Sequence, residues 1–359
     1  MIRNYSKWII LAFAILFVGA YMLSLVSTCK SDTNSSNVVE AVKPLPDLNI
    51  PKFNADSAYY FTDKIVSFGP RVVGTEGAAR VKKYIVTLFK QYGADVIELS
   101  FKAHTYDGKS HNATNIIARY NPTAVNRIVL SAHWDSRPFA DQDKDEADKN
   151  KPILGADDSG SSIGILLEIG RQLQIAALPV GTPTEQNWGI DIVLFDAEDY
   201  GNPESGKTPD EQRVSELTWG LGAQYWAKTP HIAGYKAQYG INLDMAGAKN
   251  ARFTKELGSM QYAPSVVEKV WRVARQKYGY VDFFVETVSE SKMTDDHMFI
   301  NDIAKIPMID IINHPTDSYF GKYWHTSDDN MSVIDKETMR AVGQTLLGVL
   351  HYEAAGSFN

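Results

Sequence analysis

Acidic residues and histidines are concentrated in six short blocks of this sequence. They are His133-Trp134-Asp135, Gly155-Ala156-Asp157-Asp158-Ser159-Gly160, Phe195-Asp196-Ala197-Glu198-Asp199, Asn242-Leu243-Asp244, Asp295-Asp296-His297, and Trp324-His325-Thr326-Ser327-Asp328-Asp329-Asn330. Taken one at a time, each has a structural role to fill. A pair such as Asp157-Asp158 stabilises a helix start, and a lone His133 or His325 is satisfied by one hydrogen bond at a strand end. Taken together they are too many for caps and solvated faces. Carboxylates brought to one point repel one another, and a divalent cation neutralises them. Oxygen and imidazole donors without a thiolate suit zinc. No His-Glu-x-x-His helix occurs, so the ligands must come from segments far apart in the chain.

The elements that carry these blocks read as an α/β pattern. Strands are expected at Val96 to Phe101, Ala113 to Tyr120, Arg127 to His133, Ile190 to Asp196, Tyr239 to Asp244 and Ile306 to Ile312. Several are continuous apolar runs, as strands covered on both faces require. Helical spacing of apolar residues runs from Thr75-Glu76 to the stop at Gly93, and again over Ser161 to Leu173, Leu217 to Trp226, Val266 to Tyr278 and Lys336 to Tyr352. The expected architecture is a single α/β domain with a mixed, mostly parallel central sheet flanked by helices. Five of the acidic or histidine blocks are then expected to converge on the edge where open α/β sheets bind ligands. Gly201 to Glu216, rich in Gly, Pro and charge, reads as a long functional loop.

Outside the fold, Arg3 and Lys7 precede an uncharged apolar run from Trp8 to Val26, and Cys29 follows it. This is an export signal over residues 1–28, with a lipid attached at Cys29, or else an uncleaved anchor helix. Either way the expected location is outside the cytosol, membrane-anchored and facing the periplasm. Residues 29–52 read as a flexible tether and 53–359 as the catalytic domain. The chain holds 36 Lys and Arg against 43 Asp and Glu, with no basic cluster beyond the N-terminus, so nucleic acid is not an expected partner. A single cysteine excludes an intrachain disulfide framework.

From about Asn54 onward, these blocks, with Gly69-Pro70-Arg71-Val72-Val73-Gly74, resemble the co-catalytic zinc aminopeptidases and, within their fold, the glutaminyl cyclases. The aminopeptidase resemblance implies two zinc ions on His133, Asp158, Asp199, Asp244 and His325, with Asp158 bridging and Glu198 activating water. Three features resemble the cyclases more closely: Trp324 before His325, the Asp295-Asp296-His297 block, and Asp244 in Leu-Asp-Met-Ala-Gly-Ala. That resemblance implies one zinc on Asp158, Asp199 and His325, with Asp244 and Asp295 bonded around a proton-shuttling Glu198. His133 and Asp135 would support the ligands, or serve a second metal with Asp244. Trp324 and Ile312 would contact substrate. The implied reaction closes the N-terminal Gln of exported proteins and peptides into pyroglutamate, releasing ammonia.

Two departures from the animal cyclases stand out. Asp199 replaces a glutamate, shortening one ligand by a methylene, and Gly201 to Glu216 shows no evident counterpart of their loop tryptophan. The segment Asn313 to Tyr323 is longer than theirs and resembles the bacterial enzymes. Competing readings are a dizinc aminopeptidase, a non-catalytic peptide-binding lipoprotein, and a serine hydrolase built on Gly160-Ser161-Ser162-Ile163-Gly164. The last lacks the strand that a nucleophile elbow needs directly before it.

Overall fold

The computed structural model describes residues 43–176, 178, 187–204, 206–314 and 320–358. The apolar run, Cys29 and most of the expected tether lie outside them. Apolar residues at nearly every position let a strand be covered on both faces, and the sheet is built around four such segments. In chain order the strands are β1 (Asp95–His104), β2 (Ser110–Tyr120), β3 (Asn126–His133), β4 (Trp188–Phe195), β5 (Tyr239–Asp244), β6 (Phe253–Lys255), β7 (Phe284–Val288) and β8 (Met308–Ile312). The main sheet has the order β1-β2-β4-β3-β5-β8, and β6 and β7 form a separate pair. β1 pairs antiparallel with β2 and β2 antiparallel with β4, whereas β4, β3, β5 and β8 run parallel. The mixed, mostly parallel sheet expected from the sequence is therefore present.

Alternate strand residues point to opposite faces, and the two faces have separate cores. Ile128, Leu130, Ile190 and Ile192 pack with the helices Ser162–Ile175 and Lys336–Ala354 on one side. Val129 and Val193 pack with Ala223 and Trp226 of the helix Leu221–Lys228 on the other. The crossover from β3 to β4 thus uses one face and that from β4 to β5 the other. Parallel strands with crossovers on both faces leave their carboxyl ends free on a common edge. His133, Asp244 and Ile312 end β3, β5 and β8 there.

The six expected strands agree with those of the main sheet to within a few residues, but β6 and β7 were not expected and several other elements differ. Gly201 to Glu216 is not all loop: Pro209–Glu216 is a helix with a capping box between Thr208 and Glu211. Its charged sequence lacks an apolar stripe, and none of its residues is buried, so periodicity could not reveal it. The helix expected from Leu217 begins at Leu221, because Gly220 takes a left-handed φ of 58°. The helix expected to end at Tyr278 runs as Pro264–Trp271 and continues as a wider π-type turn over Arg272–Lys277. Leu45–Asn359 form one compact unit. Leu45, Leu48 and Ile50 pack against the core, and the Tyr352 hydroxyl donates to the Pro46 carbonyl at 3.0 Å. Among the described residues no helix is long and apolar enough to cross a membrane.

At the opposite end of β3 from His133, Arg127 makes two side-chain bonds to the buried Asp191 of β4, and the Tyr235 hydroxyl donates to the same carboxylate at 2.5 Å. Removing one member of a buried pair strands the other charge. Arg127→Met is therefore expected to lower unfolding free energy by about 3–5 kcal/mol, read as a reduced midpoint in urea with unchanged slope.

Candidate active site

Three of the turns that carry site residues contain a residue with positive φ. Met245 (φ 47°) directly follows Asp244, Ala197 (φ 57°) precedes Glu198, and His325 itself has φ 55°. Non-glycine residues pay for this conformation in local strain, and such strain collects where a side chain must be aimed. The surrounding bonds hold it in place. Asp196 accepts from the Thr114 and Ala197 amides at 2.7 and 3.0 Å. Asp135 accepts from the Glu198 and Asp199 amides at 3.0 and 3.1 Å.

The Asp158 loop is held in the same manner. Asp329 accepts from the amides of Asp157 and Asp158 at 2.8 and 3.2 Å. Asp157 is no helix cap: it accepts from the Gly247 amide at 2.8 Å and the Tyr323 hydroxyl at 2.5 Å. From beneath, the buried Arg71 guanidinium donates to the carbonyls of Trp134 (2.8 Å), Leu154 (2.5 Å), Gly155 (2.7 Å) and Asp158 (3.1 Å).

The side chains so positioned meet. The His325 Nε2 lies 3.2 Å from Asp199 Oδ1 and 3.7 Å from Asp158 Oδ2. One donor atom from each of these three buried residues lies within 4.8 Å of the others. Asp199 Oδ2 is buried without a hydrogen-bond partner. Two carboxylates and an imidazole in that spacing, one oxygen orphaned, fit a zinc ion. Asp141 lies 3.4 Å from His325 Nδ1, and Arg137 donates to the Asp199 carbonyl at 3.0 Å, so both ligands are oriented from behind.

His133, Asp158 and Asp244 form a second possible metal group. There His133 Nε2 stands 2.9 Å from Asp158 Oδ1 and 3.2 Å from Asp244 Oδ1, so one proton satisfies it. Asp135 belongs to neither group; it acts through the two amides it binds. The third group, Asp295, His297 and Asp310, is linked by Asn242, whose amide donates to Asp295 and Asp310 at 3.2 Å each.

A pocket of about 490 Å³ opens over these residues. Glu198, Asp244 and Asp295 line it with the three candidate ligands, and so do Ile312 and Trp324. Glu198, Asp244, Asp295, Asp158, Asp199, His325, Trp324 and Ile312 therefore share one cavity, whereas His133 and Asp135, the possible second-metal residues, do not line it. Burial pushes the Glu198 carboxyl well above the ordinary carboxylate range; Asp296, Asp199 and Asp295 add to this against the opposing His133. Burial and then Asp158 raise Asp244 to about 7. Asp296 is raised strongly too, by burial and by Asp295, and both its oxygens are unpartnered.

Sequence reasoning missed Trp219, which lines the pocket. Its indole lies 6.0 Å from the His325 ring at an interplanar angle of 13°, and the Arg137 guanidinium sits 4.7 Å from it on a π face. Trp324 stacks on His325 at 3.6 Å and 23°. A Cβ on Gly201 would fall 1.9 Å from the Trp219 ring. A glycine shortly before a tryptophan was the one signal available, and a weak one. Ser162, by contrast, opens a helix with its hydroxyl buried and unbonded, which removes the serine-hydrolase reading.

Residues 115–350 match the sequence profile of peptidase family M28. The chain belongs to that family. Among solved M28-like structures, it is similar to the Bacteroides thetaiotaomicron glutaminyl cyclase bound to N-acetylhistamine. Identity is 43%, the TM-score is 0.79, and the match covers 84% of this chain and 99% of that one. It is equally similar to a protein from the same organism described as a leucine aminopeptidase precursor, at 43% identity and a TM-score of 0.78, covering 85% and 99%. A glutaminyl-peptide cyclotransferase of Drosophila melanogaster is 28% identical over 82% of this chain and 80% of its own length. The cyclase resemblance read from the motifs thus extends over most of the chain.

Asp135→Ala leaves two buried amides on the Glu198-Asp199 turn without an acceptor. Zinc affinity, measured by competition with a fluorescent chelator, is expected to fall about 10- to 100-fold.

Proposed function

We propose that this chain is a zinc-dependent glutaminyl-peptide cyclotransferase, converting N-terminal Gln to pyroglutamate with loss of ammonia. The observation that carries this reading is the pairing of Trp219 and Trp324, both nearly parallel to the His325 ring in the pocket that holds Glu198. Two flat apolar walls beside a metal-binding group make a slot for a short, uncharged side chain. The glutaminyl cyclases and cyclotransferase among the relatives support the same activity.

In the reaction the substrate's own α-amine attacks its side-chain carboxamide carbon, a C–N bond forms to close the ring, and the carboxamide C–N bond breaks. Because nucleophile and electrophile share one residue, proximity is largely supplied by the substrate. Zinc held by Asp158, Asp199 and His325 would supply Lewis-acid polarisation of the carboxamide oxygen. Glu198 takes the proton from the attacking amine and returns it to the departing nitrogen, which leaves as ammonia. A buried carboxyl raised above the ordinary carboxylate range suits both transfers. Asp295 and Asp244 sit around Glu198 and keep that site acidic, while Trp219, Trp324 and Ile312 orient the Gln side chain.

We place one zinc on Asp158, Asp199 and His325, where Asp199 Oδ2 is buried without a hydrogen-bond partner, while Asp158 and Asp244 are joined through His133 Nε2. A dizinc aminopeptidase is the second reading, favoured by that same His133-Asp158-Asp244 grouping. The run Trp8 to Val26 followed by Cys29 supports an exported enzyme anchored by lipid or helix and facing the periplasm, acting on exported proteins and peptides with N-terminal Gln.

Incubation with a Gln-initiated peptide decides between the readings. Cyclisation releases ammonia and keeps the peptide's residue count, whereas peptidase action liberates free amino acids. Glu198→Gln is expected to lower kcat by roughly 10²- to 10⁴-fold with zinc content by metal analysis unchanged; undiminished turnover would remove the shuttle role. Trp219→Ala is expected to raise KM more than it lowers kcat, because it removes a wall and no reacting group.

A further inference from the structure

The pocket extends past the slot for one glutaminyl residue. Its outer wall is the helix Pro209–Glu216, which presents Gln212, Ser215 and Glu216 to the cavity. Positions i, i+3 and i+4 share one helical face, so these three side chains form a continuous strip along the path out of the slot. Thr294 and Phe320 lie on the lining as well. A peptide whose first residue occupies the slot has to lead its next residues through this mouth.

We infer that Glu216 reads the charge of the residues following the N-terminal Gln, favouring basic and disfavouring acidic ones. This rests on the cyclase reading above. Three observations carry it. Glu216 is exposed, and none of the ion pairs among the described residues engages it. The lining contains carboxylates from Asp158, Glu198, Asp199, Asp244 and Asp295 but no Lys or Arg. Cleft walls of one sign focus their field outward and raise the local concentration of oppositely charged ligands. Glu216 stands exposed on the pocket lining at its outer helix, where a second or third substrate residue passes.

The experiment uses the zinc-loaded full enzyme and three peptides, Gln-Ala-Lys, Gln-Ala-Gln and Gln-Ala-Glu, with ammonia release as the signal. The wild type is expected to give the highest kcat/KM on the Lys peptide and the lowest on the Glu peptide. Glu216→Gln should cut the Lys-to-Glu ratio roughly two- to five-fold, the size of an exposed ion pair, and Glu216→Lys should cut it further. The change should appear in KM, and about 1 M salt should flatten it, the screening length there being near 3 Å. An equal ratio in wild type and Glu216→Lys overturns the proposal alone. No ammonia from any peptide with the wild type overturns the cyclase reading and this inference with it.

Discussion

Like charges crowded out of water cannot all persist, and this constraint governs the architecture of the site. Asp158, Asp199, Glu198, Asp244, Asp295 and Asp296 are buried at one sheet edge. Left uncompensated, such a group would protonate or force the edge apart. Compensation comes in three forms. A cation fits between Asp158, Asp199 and His325; His133 bridges Asp158 and Asp244; and burial raises the proton affinity of Glu198 and Asp296. A raised affinity is useful at Glu198 on the proposed reading, because a carboxyl that takes a proton more readily can also carry one.

Precision at the site comes from carboxylates that never touch a reactant. Asp135 and Asp329 each accept two successive backbone amides, and Asp196 and Asp157 also accept amides at the adjoining turns. Charge-assisted bonds of this kind hold the turns in conformations that the residues themselves resist, including the positive φ of Ala197. Arg71 adds the opposite sign, gathering four carbonyls from the segments beneath. Several acidic residues in the six blocks are thus structural, though their role is to aim the others.

The same M28 scaffold is shared by proteins described as cyclases and as aminopeptidases, at equal identity to this chain. Ligand identity alone does not separate the two chemistries, since both use the same donors. On the cyclase reading proposed above, Trp219 and Trp324 flank the pocket beside His325, and an intramolecular attack would need a proton carrier more than an activated water.

Much of this was legible beforehand. Continuous apolar runs announced buried parallel strands, and acids at their carboxyl ends announced a metal-binding edge, because burial on two faces and charge crowding leave marks in local sequence. The helix Pro209–Glu216 left none, since a solvated helix carries no apolar stripe. Trp219 was hidden for a related reason: its role comes from stacking on His325, 106 positions further along the chain, with Gly201 making room. The chain's residue types by themselves determined which groups could bind metal and move a proton. Only the tertiary structure decided which of them meet, and that Asp135 works through backbone amides, because distances between remote segments are set by packing and not by spacing.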